Sequence, residues 1–309
     1  MSPARFRYLA GTARLRATAG VRRVRGRIRH RPPCAAAVPR PALAARGSGA
    51  LQLTHALLAV DLNPRYANLW PVARRAWAEI AGLEPVLVLV SGADTVPPEL
   101  VGDPAVQLFE PEPSLSTAFQ AQCIRLLYPA LLEAEGVITS DIDMVPMNDR
   151  YFHRPIRRID RRHFVCYRDV LLPLGELPIC YNAALPETWG SVFGVANLGD
   201  IRARLLEWAE GVEYAGTHGG PGWTTDQRQL YRILLERGRR ERDVWILDDH
   251  FTGHRRLERA YVEKWGTLSN AARRGIERRS FSDFHLLPAG GTHAGLNELV
   301  VDAAIEAAK

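Results

Sequence analysis

The chain has 309 residues, of which 47% are apolar and 24% are charged, so it contains enough apolar sequence for a substantial core. This composition excludes a collagen-like chain, a disulfide-rich scaffold and a chain that is disordered throughout. Residues 1–50 contain twelve arginines and no acid, and the 28 basic and 34 acidic residues that remain give the rest of the chain a net charge of −6.

The arginine-rich N-terminal segment is the first element along the chain. We interpret residues 1–50 as a basic, disordered arm, because their apolar residues lack the periodicity of a packed element. The stretch 14–31 is typical of a segment that makes weak contact with an acidic surface, either membrane or nucleic acid. A plain arm, or sequence translated upstream of the true start, is the simpler interpretation. The segment has no apolar stretch of the secretory type.

Alternating strands and helices follow the arm and form what we predict to be one domain, 51–309. Apolar runs predict buried strands at 54–62, 85–90, 106–109 and 137–139. Helical spacing of apolar residues predicts helices from Leu69 to about Gly82 and from Ser116 or Thr117 to about Glu133. In the less regular second half, strands are expected at 162–167 and 244–247 and helices at 201–209 and 226–237.

This alternation predicts an α/β fold with a mainly parallel sheet and helices on both faces. Ligands of such sheets bind beyond the carboxyl ends of the strands. Asp61 and the pair Asp141 and Asp143 both follow a predicted strand, so they are expected at that edge. No apolar run reaches the roughly 18 residues of a membrane span. Widely spaced cysteines beside apolar residues favour free thiols and a cytoplasmic protein.

The pair Asp141 and Asp143 is the strongest candidate for a metal site. Two carboxylates that are two residues apart at a strand end can both reach one cation. Hard oxygen ligands suit Mg²⁺ or Mn²⁺, which keep open positions for substrate phosphates. The alternative is a solvated turn, since Asp-x-Asp is common in loops. The apolar run at 137–138 before the pair and Met144-Val145 after it favour the metal site.

Residues 119–147 resemble the donor-binding segment of nucleotide-sugar glycosyltransferases with the A-type (GT-A) fold. In those families an Arg-Leu-Leu-x-Pro stretch leads into the strand that carries the Asp-x-Asp motif, and the stretch that starts at Arg125 matches it. The resemblance implies that Asp143 contacts Mn²⁺ or Mg²⁺ and that Asp141 contacts the ribose, the metal or both. It also implies that Arg125 lies near the donor, the alternative being a surface arginine of a helix.

The resemblance implies a metal-dependent enzyme that moves a sugar from a nucleoside-diphosphate sugar to a hydroxyl acceptor, which is a glycan, a lipid or a small molecule. We expect a GT-A-like fold, with a donor-binding half at about 53–150 and an acceptor-binding half at about 151–309. Asp61 is expected to contact the donor. The His-x-x-Gly-x-x-Lys-Pro-Trp ending of one such family is absent here.

Three further segments are candidates for the sugar and metal sites. An Asp-Gln pair at a helix start recurs near the acceptor in the resembled families, and Asp226-Gln227 matches it, with Asp226 as the catalytic or positioning acid. Trp223 suits stacking on a sugar face, although the same residues also fit a helix cap. Asn182 is expected to bond sugar hydroxyls, or to be a turn asparagine. The resembled families often supply a late histidine as a further metal ligand. His285 is the preferred candidate, because the apolar residues on both sides of it indicate a partly buried position, and His293 is its competitor.

Two other functions remain open from the sequence. Asp141 to Val145 matches the nucleophile motif of haloacid-dehalogenase-like phosphohydrolases, and 244–249 resembles their late acidic motif. No lysine lies between Asp143 and Asp248 to balance a phosphorylated aspartate, and about 80 residues of α/β pattern precede a motif that normally opens such a domain. The second alternative is a non-enzymatic polyanion-binding protein that uses the arginine-rich arm. The acidic remainder of the chain predicts no basic face outside that arm.

Overall fold

The computed structural model describes residues 49–236, 243–249, 252–290 and 295–309. The predicted arm up to residue 48 and His293 therefore lie outside the described residues. Ten strands are described: β1 His55–Asp61, β2 Glu84–Val90, β3 Val106–Phe109, β4 Val137–Thr139, β5 Met144–Pro146, β6 Phe164–Cys166, β7 Asn182–Ala184, β8 Val244–Ile246, β9 Arg255–Leu257 and β10 Phe281–His285. Ten α-helices are described: α1 Pro64–Ala67, α2 Trp70–Glu79, α3 Thr117–Ile124, α4 Asp149–His153, α5 Pro186–Phe193, α6 Leu198–Ala209, α7 Thr225–Tyr231, α8 Arg259–Trp265, α9 Asn270–Glu277 and α10 Leu296–Ala308.

Seven strands form the main sheet, in the order β3-β2-β1-β4-β7-β6-β8. The pairs β4–β7 and β7–β6 are antiparallel, and the other four pairs are parallel. A second sheet has the order β5-β10-β9. The predicted α/β class with a mainly parallel sheet is confirmed. No described helix has the length and apolar character needed to cross a membrane.

The main sheet separates two apolar layers, and β1 supplies side chains to both. Leu58 and Val60 belong to the layer that includes Trp77 and Phe152, whereas Leu57 belongs to the layer that includes Trp189. Successive side chains of a strand point to opposite faces, so an unbroken apolar run is what a strand covered on both faces requires. The run at the start of the domain therefore marks the centre of the sheet.

The helix predicted from 116 to about 133 is shorter than expected. Its start is confirmed, because the Ser116 side chain accepts a hydrogen bond from the Phe119 N–H at 3.2 Å. The α-helix ends at Ile124, and a short 3₁₀ helix, Tyr128–Leu131, follows it. Pro129 explains the difference, since proline lacks a backbone N–H and its ring clashes with the carbonyl of the residue four positions earlier in an α-helix.

Gly136, immediately before β4, is required by close backbone contact. A Cβ atom at this position would lie 2.1 Å from the carbonyl oxygen of Gln52. We expect Gly136→Ala to lower the free energy of unfolding by about 2 kcal/mol or more, because the backbone must move to relieve the overlap. Urea unfolding measures the change. Gly49→Ala is the matched control, since nothing lies within 4 Å of a Cβ there, and an equal loss in both variants would contradict this explanation.

Candidate active site

The carboxyl ends of β1 and β4 bring together the acids that the sequence placed at this edge. Asp61 is the last residue of β1, and Asp141 and Asp143 lie in the turn that joins β4 to β5. The Met144 N–H donates to the carbonyl of Asp141 at 3.1 Å, which closes this turn. Ile142 between the two acids is buried in the core. The turn therefore anchors its middle side chain and leaves both carboxylates partly exposed.

Arg125 links Asp141 to Asp226, which lies 101 residues further along the chain than Arg125. Its guanidinium forms an ion pair with Oδ1 of Asp141 and donates from Nη2 to Oδ2 of Asp226 at 2.9 Å. Arg125 and Asp226 are both buried. A buried charge is tolerated only when it is paired and hydrogen-bonded, so Arg125 and the two acids form one ion-paired unit, in which the carboxylates exceed the guanidinium by one negative charge.

Burial and ion pairing shift the pKa of Asp226 in opposite directions. Burial raises the pKa of the Asp226 carboxyl above its ordinary value, although Arg125 and the backbone N–H of Gln227 act to lower it. The second carboxylate oxygen, Oδ1, accepts the Gln227 N–H at 2.8 Å. Asp226 thus lies in the first turn of α7, as the helix-cap interpretation expected. Its side chain also pairs with Arg125. The side chain of Thr224, the N-cap residue, makes no capping hydrogen bond.

His285 lies beside Asp143. β10 ends at His285, and its antiparallel pairing with β5 aligns His285 with Met144. The Leu286 N–H donates to the Asp143 carbonyl at 2.8 Å, and His285 Nε2 lies 3.0 Å from Oδ2 of Asp143. Burial raises the pKa of the Asp143 carboxyl, but the hydrogen bond and charge of His285, with the charges of Arg259 and Arg125, outweigh burial and leave it below its ordinary value.

The pair of Asp143 and His285 fits a small divalent cation. Bonds of roughly 2.1 Å separate neighbouring ligands of an octahedral ion by roughly 3 Å, and the two side-chain atoms are 3.0 Å apart. Asp141 is engaged differently, because its Oδ1 pairs with Arg125 and its Oδ2 accepts from the Cys180 thiol at 3.3 Å. Within the described ranges no three His, Cys, Asp or Glu side chains are grouped for a metal.

The predicted sugar-binding residues occupy three different environments. Asn182 is buried in β7, not in a turn, and its amide donates to the carbonyls of Pro178 and Ile179 at 2.8 and 2.7 Å. Trp223 is half-buried, with its ring 5.4 Å from that of His218. In the part of the chain that the structure describes, Oδ1 of Asn182 and Oε1 of Gln227 are buried and have no hydrogen-bond partner.

Asp61, the predicted donor contact on β1, is held by a residue of α3. The Thr117 hydroxyl donates to Oδ2 of Asp61 at 2.9 Å, and the Asn63 N–H donates to Oδ1 at 3.1 Å. Both α3 and the stretch that carries Arg125 therefore border the same edge of the sheet. The structure brings the predicted donor side chains to one edge, and their roles toward a donor stay predictions.

Sequence reasoning missed the contact of Cys180 with Asp141 and a buried ionic cluster next to His285. Asp283, two residues before His285 and fully buried, accepts from Arg168 Nη2 at 2.8 Å, from Arg256 Nε at 3.2 Å and from the Tyr181 hydroxyl at 3.1 Å. The signal in the sequence was an acid inside an apolar strand, on the same face as His285 by the period of two. The cluster fixes β10, and through it the position of His285.

The two acidic motifs of the phosphohydrolase alternative contact different residues. Asp249 lies 3.2 Å from the Tyr151 hydroxyl and 3.8 Å from Nε of Arg168. Asp141, which would be the nucleophile, pairs with Arg125 and Cys180. The arginine beside Asp141 thus bridges it to Asp226 and not to the late acidic motif.

Comparison with protein-family models gives no match, and comparison with curated proteins gives none. Among solved structures, the apo form of the glycosyltransferase GlyE of Streptococcus pneumoniae TIGR4 aligns with a TM-score of 0.45 and 14% identity. The alignment covers 82% of this chain and 60% of GlyE. This chain therefore spans about 60% of the length of that protein.

Two other solved structures give similar alignments. The galactosyltransferase LgtC, solved in complex with donor and acceptor sugar analogs, aligns with a TM-score of 0.42 and 13% identity, over 82% of this chain and 95% of LgtC. The bifunctional glycosyltransferase WbbM aligns with a TM-score of 0.38 and 12% identity, over 86% of this chain and 51% of WbbM. Similarity at this level assigns no residue a role.

Proposed function

We propose that this chain is a metal-dependent glycosyltransferase that takes its sugar from a nucleoside-diphosphate donor. One observation carries the proposal: the Asp143–His285 pair and the Asp141–Arg125–Asp226 unit meet at the carboxyl edge of a mainly parallel sheet. This edge is where α/β sheets bind ligands. The acids there exceed the arginine charge, which suits a site that receives a cation together with a diphosphate.

Asp143 and His285 are the residues proposed to hold the cation. A carboxylate oxygen and an imidazole nitrogen together favour Mn²⁺ over Mg²⁺, since Mg²⁺ prefers oxygen ligands. A bound divalent ion supplies Lewis-acid stabilisation of the charge that develops on a leaving diphosphate. Asp141, held by Arg125, is proposed to face the ribose of the donor.

The second half of the chain is proposed to bind the sugars. The buried oxygens of Asn182 and Gln227 lack partners among the described residues, and each is suited to accept a hydrogen bond from a sugar hydroxyl. A buried acceptor that stays unpaired costs about 1–3 kcal/mol, so a hydroxyl that pairs with it gains affinity. Trp223, which is half-buried and close to Gln227 in sequence, offers an aromatic face for stacking. Asp226 is proposed to position these groups through Arg125.

A donor screen tests the proposal. The full chain is incubated with a panel of nucleoside-diphosphate sugars and Mn²⁺, and release of the nucleoside diphosphate is measured with and without glycan, lipid and small-molecule acceptors. We expect turnover with one donor class to rise when an acceptor is added. Release of inorganic phosphate from phosphomonoesters, with no turnover of any donor, would instead support the phosphohydrolase.

His285→Ala is expected to weaken Mn²⁺ affinity by about tenfold or more, because it removes one of two protein ligands. Isothermal titration calorimetry with Mn²⁺ measures this affinity in the absence of substrate. His293→Ala is the control, since His293 was the competing candidate in the sequence, and it should leave the affinity unchanged. The assignment of His285 is wrong if His293→Ala weakens Mn²⁺ affinity and His285→Ala leaves it unchanged.

A further inference from the structure

A dense group of exposed arginines lies on α4 and on the segment that joins it to β6. Residues 150–162 contain six arginines and one acid, Asp160. Five of these arginines are exposed, and we call them the basic surface: Arg150, Arg154, Arg157, Arg158 and Arg162. The acidic total predicts no basic face outside the arm, yet this segment carries five exposed arginines. A net charge of −6 is a sum, and it conceals this local excess of positive charge.

Most of this positive charge is not neutralised. Arg162 pairs with Asp160 at 2.8 Å, whereas Arg150, Arg154, Arg157 and Arg158 have no carboxylate within salt-bridge distance in the described ranges. Surface arginines of folded proteins commonly lie among acids of opposite sign. A cluster of unpaired positive charges creates a positive local potential, and this potential attracts anionic partners.

The field of the basic surface reaches a neighbouring side chain. Burial lowers the pKa of the His254 imidazole, and the charges of Arg150 and Arg154 lower it further. His254 also lies against Tyr151 of α4, with ring centroids 6.1 Å apart. Arg150 and Arg154 therefore lie close enough to His254 for their charges to act on it.

An exposed tryptophan borders the basic surface. Trp245 on β8 aligns with Val165 of β6, and its ring lies 6.2 Å from that of His163, the residue next to Arg162. Trp245 is 44% exposed, and β8 is the last strand at its end of the described sheet. An exposed indole next to unpaired guanidinium groups is the combination found at the boundary between a bilayer and water.

The end of the basic surface that carries Arg162 lies near the start of β1. Asp160 forms a bridge with Ala50, and the Leu51 N–H donates to the Ile159 carbonyl at 3.0 Å, just before β1 begins. The site instead lies where β1 and β4 end. The chain enters its described part at this bridge, and the sequence before it carries twelve arginines.

We infer that the basic surface, together with Trp245, binds the surface of an anionic phospholipid bilayer. Guanidinium groups form paired hydrogen bonds with the phosphates of lipid headgroups, and an indole is stable at headgroup depth. Nucleic acid is the less suitable partner, because sequence-independent strand binding uses several stacking aromatics along a groove, whereas the basic surface has one exposed indole.

Vesicle sedimentation of the full chain tests this inference without reference to any enzymatic activity. Vesicles of phosphatidylcholine alone are compared with vesicles in which about one-third of the lipid is phosphatidylglycerol, at low and high salt. We expect binding only to the anionic vesicles, and we expect salt to weaken it. Strong binding to neutral vesicles, or binding to a double-stranded oligonucleotide without binding to vesicles, would overturn the inference.

Charge-matched variants locate the surface. The triple variant R154Q/R157Q/R158Q should bind anionic vesicles at least about tenfold more weakly, since each arginine near an anionic membrane contributes about fivefold. The control R273Q/R274Q/R278Q removes the same charge from exposed positions on and beside α9 and should lose less than about threefold. Trp245→Ala should weaken binding at high salt, where the electrostatic contribution is small. Equal losses in the two triple variants would mean that net charge alone drives binding.

Discussion

Asp143→Ala is expected to reduce sugar transfer by roughly a thousandfold or more. The carboxylate is the acidic half of the pair with His285, whose Nε2 lies 3.0 Å away, and alanine leaves a single imidazole to hold the cation. The same variant should lose measurable Mn²⁺ binding in calorimetry. Both losses have one cause, so they should appear together.

The control for this variant separates loss of the site from loss of the fold. Asp94→Ala removes an exposed carboxylate from a short 3₁₀ helix, Ala93–Thr95, and should leave transfer and Mn²⁺ affinity within about twofold of the parent chain. The melting temperature of Asp143→Ala should stay within a few degrees of the parent chain. Substantial transfer by a folded Asp143→Ala protein would contradict the assignment of the metal site.

Asp226→Asn is expected to lower turnover by roughly 100-fold or more, the scale of losing a positioning or acid–base group. Asparagine keeps the shape of the side chain and an oxygen for the Gln227 N–H, but it removes the negative charge that pairs with Arg125 at 2.9 Å. Arg125 is buried and then retains Asp141 as its one carboxylate partner. The guanidinium should shift toward Asp141 and disturb the donor side of the site.

The loss of folding stability caused by Asp226→Asn must be measured alongside turnover, because breaking a buried ion pair costs about 3–5 kcal/mol. Urea unfolding gives that loss, and turnover is then compared at a temperature where both proteins are folded. Asp200→Asn makes the same exchange in the first turn of α6, where Asp200 forms a capping box with Asn197, and it should retain turnover. Near-normal turnover of folded Asp226→Asn would leave Asp226 only its helix-start and ion-pair roles.

The apolar pattern predicted the centre of the fold well. The strands β1, β2, β3 and β4 lie within a few residues of their predicted positions. Of these, β1, β2 and β4 are apolar runs covered on both faces, whereas β3 is an edge strand in which only Phe109 is buried. The position of Asp61, Asp141 and Asp143 at the carboxyl edge of the sheet was predictable from strand direction alone. The helix that ends at Ile124 was predicted too long, since the apolar spacing continues past Pro129 while the backbone cannot.

Contacts between distant segments lay beyond the sequence. β7 is three residues of Asn-Ala-Ala with no β-branched side chain, and its strand geometry comes from pairing with β4 and β6 on both sides. Arg125 was predicted near the donor, but its pairing with Asp226 depends on how α7 packs against the end of α3. The basic surface was missed for a similar reason, because a total charge does not report where charges collect.

The dependence of donor turnover on Mn²⁺ tests the central proposal most directly. The full chain is assayed for nucleoside-diphosphate release on the donor found in the screen, first after EDTA treatment and then with Mn²⁺ or Mg²⁺ restored in excess. The proposed site of Asp143 and His285 predicts that EDTA abolishes turnover, that Mn²⁺ restores it and that Mn²⁺ activates better than Mg²⁺. Full turnover in the presence of EDTA would contradict the proposed metal-dependent transfer.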